Sequence, residues 1–204
     1  MPRSLAEHRL RPGATYANYG QSEELRRALV AEQRGICCYC MSRVSAQWRA
    51  MKVEHWRSQD RFPALQLEYG NLLGACLGNE GHLPEEQHCD TRKGNRDLSR
   101  NPARPADRVE ESIHYSGAGE IHSEDEVFDR EINEVLNLNV FHLTQNRRKA
   151  LESFLEANTR RGTYTKAELE RWLRTWSGAD SEGTLLPFAP VVVYWLRKRL
   201  ARAG

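Results

Sequence analysis

All five cysteines of this 204-residue chain fall between residues 37 and 89. Three stand almost together, as Cys37-Cys38-Tyr39-Cys40, and Cys76 and Cys89 follow singly. Cysteines clustered this way read as metal ligands in a reducing compartment, not as a secreted disulfide framework. A Cys-x2-Cys hook such as Cys37 and Cys40 sets two thiolates at a separation that one tetrahedral zinc ion accepts. Cys76 and Cys89 then supply the other half of the site, across a polar loop of twelve residues. Zinc requires only that the sulfurs converge, so the wide spacing is harmless. Cys38 is left as a buried packing residue, and His82 or His88 could replace one cysteine as a ligand. The bland alternative is a set of reduced cysteines that hold nothing. If they do hold zinc, the segments carrying them must meet, and the centre of the fold is set.

The rest of the chain describes an ordinary folded protein. Apolar residues make up 39% and charged residues 28%, and the length suits a single domain over residues 1–204. The N-terminus, MPRSLAEHRL, has no apolar core of the secretory type. The longest apolar run, Leu185 to Leu196, is broken by two prolines and is too short to span a bilayer. A cytoplasmic protein without membrane contact is therefore expected. The net charge of +2 does not by itself point to nucleic acid. Charge is segregated locally, however: residues 92–108 carry Arg92, Lys93, Arg96, Arg100, Arg104 and Arg108, and residues 110–134 are acidic. Either run on its own also fits a solvated face.

Hydrophobic spacing predicts an α+β chain. Ser22 to Arg34 reads as a helix with Ser22 as N-cap, Leu25, Leu29 and Val30 on one face, and Gly35 at its end. Lys52 to Trp56 and Asn71 to Cys76 are expected as partner strands, followed by a helix from Asp90 to Leu98 that Asn101-Pro102 stops. A small strand pair is expected around Gly117-Ala118-Gly119. Helices are expected over Glu126–Leu136 and Thr144–Asn158. A third follows Thr165, with Glu168 completing a capping box, and the last runs from Pro187 or Pro190 to about Arg202. A small zinc-stapled core over 35–100 thus sits in a mainly helical chain, with a helical C-terminal region over 124–204.

A second constellation lies between the cysteines: Val53-Glu54-His55, then Asn71, then Asp90 directly after Cys89. A glutamate beside a histidine signifies little alone, but its position among these residues raises it. Phosphodiester hydrolysis needs a deprotonated water and relief of the negative charge on the phosphate. A neutral imidazole at His55 can take the proton near pH 7, and a divalent cation can offset the charge. Mg2+ favours carboxylate oxygens and keeps several waters, so Glu54 and Asp90 suffice as its protein ligands. Asp90 follows a zinc ligand, so the structural metal would fix its place.

Cys37-x2-Cys40, Val53-Glu54-His55, Asn71-Leu72-Leu73 and Cys89-Asp90-x2-Lys93-Gly94-Asn95 together resemble the HNH, or ββα-metal, endonucleases. The resemblance implies that Glu54 ligates a catalytic Mg2+ or Mn2+ and that His55 is the general base. It implies that Asn71 braces the hairpin and orients that base. Asp90 stands where the family has a metal-ligating His or Asn, and Lys93, with Arg92 beside it, is placed near the phosphate backbone.

Further short motifs extend the likeness over about residues 20–160. These are Leu98-Ser99-Arg100-Asn101-Pro102, a Gly-containing segment ending in Glu120-Ile121, and Val135-Leu136-Asn137-Leu138-Asn139 before Arg147-Arg148. They are similar to the HNH nucleases of retron and Septu anti-phage systems, which implies an ABC-type ATPase partner, in a retron complex or its like. DNA is the expected substrate. A structured RNA such as tRNA is the alternative for the same chemistry, and a non-catalytic zinc-binding module that contacts nucleic acid or protein is the non-enzyme alternative. Trp172, Trp176, Tyr194 and Trp195 read as core aromatics, with a partner surface as the alternative.

Overall fold

The computed structural model describes the whole chain except residues 21, 48, 160, 161, 163, 179–182 and 204. The chain is α+β, as the hydrophobic spacing predicts. Helix α1 (Arg3–Arg9) and helix α2 (Ser22–Glu32) lead into the cysteine hook. Ser22 is the first helical residue, and the position that would cap it lies outside the described residues. Leu25 and Leu29 bury one face of α2 against Leu5 of α1 and Leu72. Arg34 and Gly35 then turn left-handed, at φ 56° and 75°, and the helix ends.

Strands β1 (Lys52–His55) and β2 (Leu72–Ala75) pair antiparallel, from Lys52↔Ala75 to His55↔Leu72. Trp56 lies outside β1, but its N–H still donates to the Asn71 carbonyl at 3.0 Å. The outer edge of β2 is closed by a side chain. Gln33 accepts from the Gly74 N–H at 2.5 Å and donates to the Gly74 carbonyl at 2.8 Å, and the Cys38 N–H reaches the same carbonyl at 3.0 Å. An exposed strand edge is thereby removed. Helix α3 (Cys89–Lys93) is shorter than the expected Asp90–Leu98. Gly94 takes φ 54°, ψ −132°, a conformation that ends a helix.

Helix α4 (Val109–Ser112) precedes a two-residue hairpin, β3 (His114–Tyr115) with β4 (Ile121–His122), at the expected glycine turn. Gly119 sits there at φ 87°, where a Cβ would lie 2.2 Å from the Thr144 carbonyl oxygen. The expected helix 126–136 is two kinds of turn. Helix α5 (Glu126–Arg130) is capped by Asp125, which accepts from the N–H groups of Val127 and Phe128. Residues Glu131–Val135 then widen into a π-turn closed by Leu136 N–H to Glu131 O at 2.8 Å. Arg96 donates to the Glu134 and Val135 carbonyls, both at 3.1 Å, which the wide turn leaves open.

Helices α6 (Phe141–Asn158), α7 (Lys166–Ser177) and α8 (Ala189–Ala203) complete the chain. Thr165 and Glu168 form the expected capping box on α7. Phe154 of α6 meets Trp172, Trp176 and Trp195 edge-on, with ring centroids 5.4–5.7 Å apart. Tyr194 packs on His114 and Tyr115 and so docks α8 on β3. The three tryptophans therefore pack together around Phe154, while Tyr194 packs on β3 instead. Among the described residues, no helix is long and apolar enough to cross a membrane.

Candidate metal centre and hydrolytic site

The sulfurs of Cys37, Cys40, Cys76 and Cys89 all lie within 4.8 Å of one another, and all four side chains are buried or nearly so. Cys37 and Cys89 are 3.9 Å apart and Cys40 and Cys76 3.7 Å, so none is a disulfide. A tetrahedron with zinc–sulfur bonds of about 2.3 Å has sulfurs about 3.8 Å apart, so the four residues fit one zinc ion. Burial opposes ionisation of Cys37, but thiol hydrogen bonds from Cys38, Cys40, Cys76 and Cys89 hold its pKa well below the ordinary value. Cys76 is opposed by Cys37, yet Cys40 and Cys89 bring it down to about 6. Two low thiols in a buried cluster are what a cation would exploit, since thiolates and not thiols ligate.

Cys38 is buried outside the set, as expected. His82 is exposed and pairs with Glu86, away from the sulfurs. His88 lies beside the cluster: its Nδ1 is 3.1 Å from Cys89 Sγ, and its Nε2 is 3.2 Å from His142 Nε2. It lies against Cys89 and is not one of the four clustered residues. Cys89 itself is held at φ 55°, with its N–H donating to the Leu136 carbonyl at 2.8 Å. The π-turn thus delivers the acceptor that positions the last cysteine.

One residue further on, Asp90 lies close enough to Glu54 to raise the pKa of its carboxyl. The structure therefore brings together the two carboxylates expected as ligands of a second metal. Glu54 is 2% exposed. Burial, then the hydrogen bond and charge of Asp90, push its pKa well up, against the opposing Lys93 ammonium. Lys93 Nζ is 2.8 Å from Glu54 Oε1, and the Tyr39 hydroxyl donates to the same oxygen at 2.7 Å. Burial and the Glu54 charge raise Tyr39, which keeps that hydroxyl protonated as a donor.

Asn71 is buried and ties two loop segments together. Its Oδ1 accepts from the Arg57 N–H at 2.7 Å, and its Nδ2 donates to the Arg57 and Leu65 carbonyls at 3.0 and 3.1 Å. The next carbonyl, Gln66 O, lies 3.0 Å from His55 Nε2. A carbonyl only accepts, so Nε2 carries the proton and Nδ1 keeps the lone pair. Gln59 Nε2 stands 3.3 Å from that Nδ1, and Tyr16 packs edge-on against the ring at 4.5 Å. Burial lowers the His55 pKa, partly offset by the Gln66 carbonyl and by Asp90. The imidazole is thus neutral and oriented, with Asn71 fixing the loop that orients it.

The two basic residues singled out in the sequence behave differently. Lys93 is 1% exposed and also donates to the His55 carbonyl at 3.2 Å. Buried there it cannot reach a nucleic-acid backbone; it neutralises Glu54 instead. Arg92 is half-buried, and its Nη1 donates to the Pro84 carbonyl at 3.0 Å. Sequence reasoning misses Tyr39, Tyr16 and Gln59. Only Tyr39 carries a signal, its place inside the cysteine hook. A cleft of about 700 Å³ runs between α2, the edge of β2 and residues 101–105, and neither Glu54 nor Asp90 lines it.

No protein-family model matches the chain. Over 75 residues, 37% of its length, it is 29% identical to the Septu protein PtuB of Bacillus thuringiensis. The matched stretch is a quarter of that protein's length, so the similarity is local and links part of this chain to a Septu protein.

Proposed function

We propose that this chain is a metal-dependent endonuclease of the HNH kind that hydrolyses phosphodiester bonds, with DNA as the favoured substrate. The observation that carries the reading is a neutral, oriented imidazole at His55 next to a Glu54–Asp90 carboxyl pair, anchored through Cys89 to a four-cysteine cluster. Such a set has no use in a purely structural zinc module.

In this reading His55 takes a proton from water at Nδ1 after Gln59 gives up its contact, and the Gln66 carbonyl holds the other nitrogen as the ring becomes positive. Asp90 favours that imidazolium electrostatically. Glu54 and Asp90 would hold Mg2+ or Mn2+, which supplies charge relief at the phosphate and leaving oxygen when bound. Tyr39 and Lys93 keep Glu54 in place from behind. Asn71 acts through the loop and is a positioning residue.

The local similarity to a Septu protein supports a place in anti-phage defence, and an ATPase partner that restrains the nuclease is part of the proposal. A second reading, a non-catalytic zinc module, draws support from the Lys93–Glu54 pair, which already neutralises one carboxylate. Incubation of the purified chain, with and without a neighbouring ATPase, against plasmid DNA and total RNA separates the readings. Cleavage that depends on added Mg2+ or Mn2+ supports the nuclease. Stoichiometric zinc with no cleavage under any of these conditions supports the module.

A further inference from the structure

A cleft of about 550 Å³ opens at the start of β1, and Asp90 is part of its lining. Arg26 of α2, Arg49 and Lys52 line it as well, three cations against Glu80 and Asp90. We propose that Arg26, Arg49 and Lys52 form the cradle for a DNA backbone phosphate beside the hydrolytic carboxylates. This rests on the nuclease reading and names a substrate-binding site for it outside the basic run at 92–108.

Three observations converge on it. Lys52 and Glu54 alternate on β1 and so share a face. Lys52 Nζ lies 2.9 Å from Glu80 Oε1 and 3.7 Å from Asp90 Oδ2, and it donates to Thr91 Oγ1 at 2.9 Å. Its ammonium is therefore fixed over the carboxylate that opens to solvent. Arg49 is exposed, holds φ 66° although it is not glycine, and makes no ion pair or hydrogen bond among the described residues. A left-handed arginine costs conformational energy and persists where the surroundings impose it, commonly at ligand sites. Arg26 stands on a helix, where its Nη1 is steadied by Ser22 Oγ at 3.2 Å. Guanidinium groups match phosphate oxygens in pairs, which a lone ammonium does not.

The test is equilibrium binding of the full chain to a fluorescent DNA duplex without added Mg2+, so that nothing is cut. Arg26→Ala with Arg49→Gly is expected to weaken binding at least tenfold. It should also flatten the dependence of log affinity on log salt by roughly 1, since the one phosphate no longer neutralised accounts for about 0.9. Zinc content should not change. Arg49→Gly alone should give about half that flattening, and it keeps the test valid if Arg26→Ala fails to fold, because glycine accepts the backbone at 49. Lys149→Ala, on the exposed face of α6, should alter neither quantity. Unchanged affinity and slope in Arg49→Gly, or a wild-type chain that binds only an RNA hairpin, would overturn the assignment. A chain that binds DNA through these arginines but never cuts it would sink the nuclease reading and leave the cradle standing.

Discussion

At the scale of single residues, the site depends on who holds whom. Glu54, His55, Asn71 and Asp90 are legible in the sequence because each sits in a short motif beside a cysteine or a strand. Their partners are not, because Tyr39, Gln59 and the Gln66 carbonyl meet them only after the chain folds back. Lys93 shows the limit most clearly: a lysine in a basic run reads as a surface charge, yet it is buried against Glu54. Tyr39→Phe removes one donor to that carboxyl, and a loss of about 1–3 kcal/mol of stability is expected, measured by denaturant unfolding. A change within error would show that the hydroxyl contributes nothing. Burial favours neutral His55 and sets its pKa below the ordinary 6.5. If His55 is the base, it stays neutral as pH falls past that value, and the acid limb of the cleavage profile should lie below 6.5. The stability gained by burying neutral imidazole is present above the unfolded value and is lost as pH falls through the lower folded one. An acid limb centred above about pH 7 would contradict this placement.

At the scale of elements, the strand, strand, helix order is readable from period and turn residues, and the hairpin register follows it. The ends are less readable. Helix α3 stops at Gly94 because the backbone there leaves helical space, while Leu98 continues an apolar pattern that packs without being helical. The π-turn after α5 is invisible in the sequence, since Ile132, Val135 and Leu136 fit an ordinary helix by spacing. One extra residue per turn puts the Leu136 carbonyl on the Cys89 N–H, and wide turns of this kind recur at functional sites. Arg96→Met removes the donors to the Glu134 and Val135 carbonyls. It should cost about 1 kcal/mol and should weaken zinc retention in a chelator competition, because the turn positions Cys89. Destabilisation with zinc retention untouched would separate the turn from the metal centre.

At the scale of the whole molecule, the largest apolar cluster gathers around the cysteines, while Phe154, Trp172, Val192 and Leu196 form another within α6, α7 and α8. Only the first is built on the four cysteines that could hold zinc. Zinc binding free energy becomes folding free energy in such a centre, so Cys37→Ser or Cys89→Ser should yield an unfolded or insoluble chain. Chelation should lower the thermal midpoint by about 10 °C or more. A Cys89→Ser chain with unchanged melting would show that the cysteines hold nothing. Under the nuclease proposal, His55 is the base of a hydrolytic site that zinc only supports. The most direct measurement pairs cleavage with metal content for wild type and His55→Ala, with Mg2+ and any ATPase partner present. The expected result is one zinc per chain and identical folding in both, with cleavage lost roughly a hundredfold or more in His55→Ala. Undiminished cleavage by a zinc-replete His55→Ala chain would contradict it.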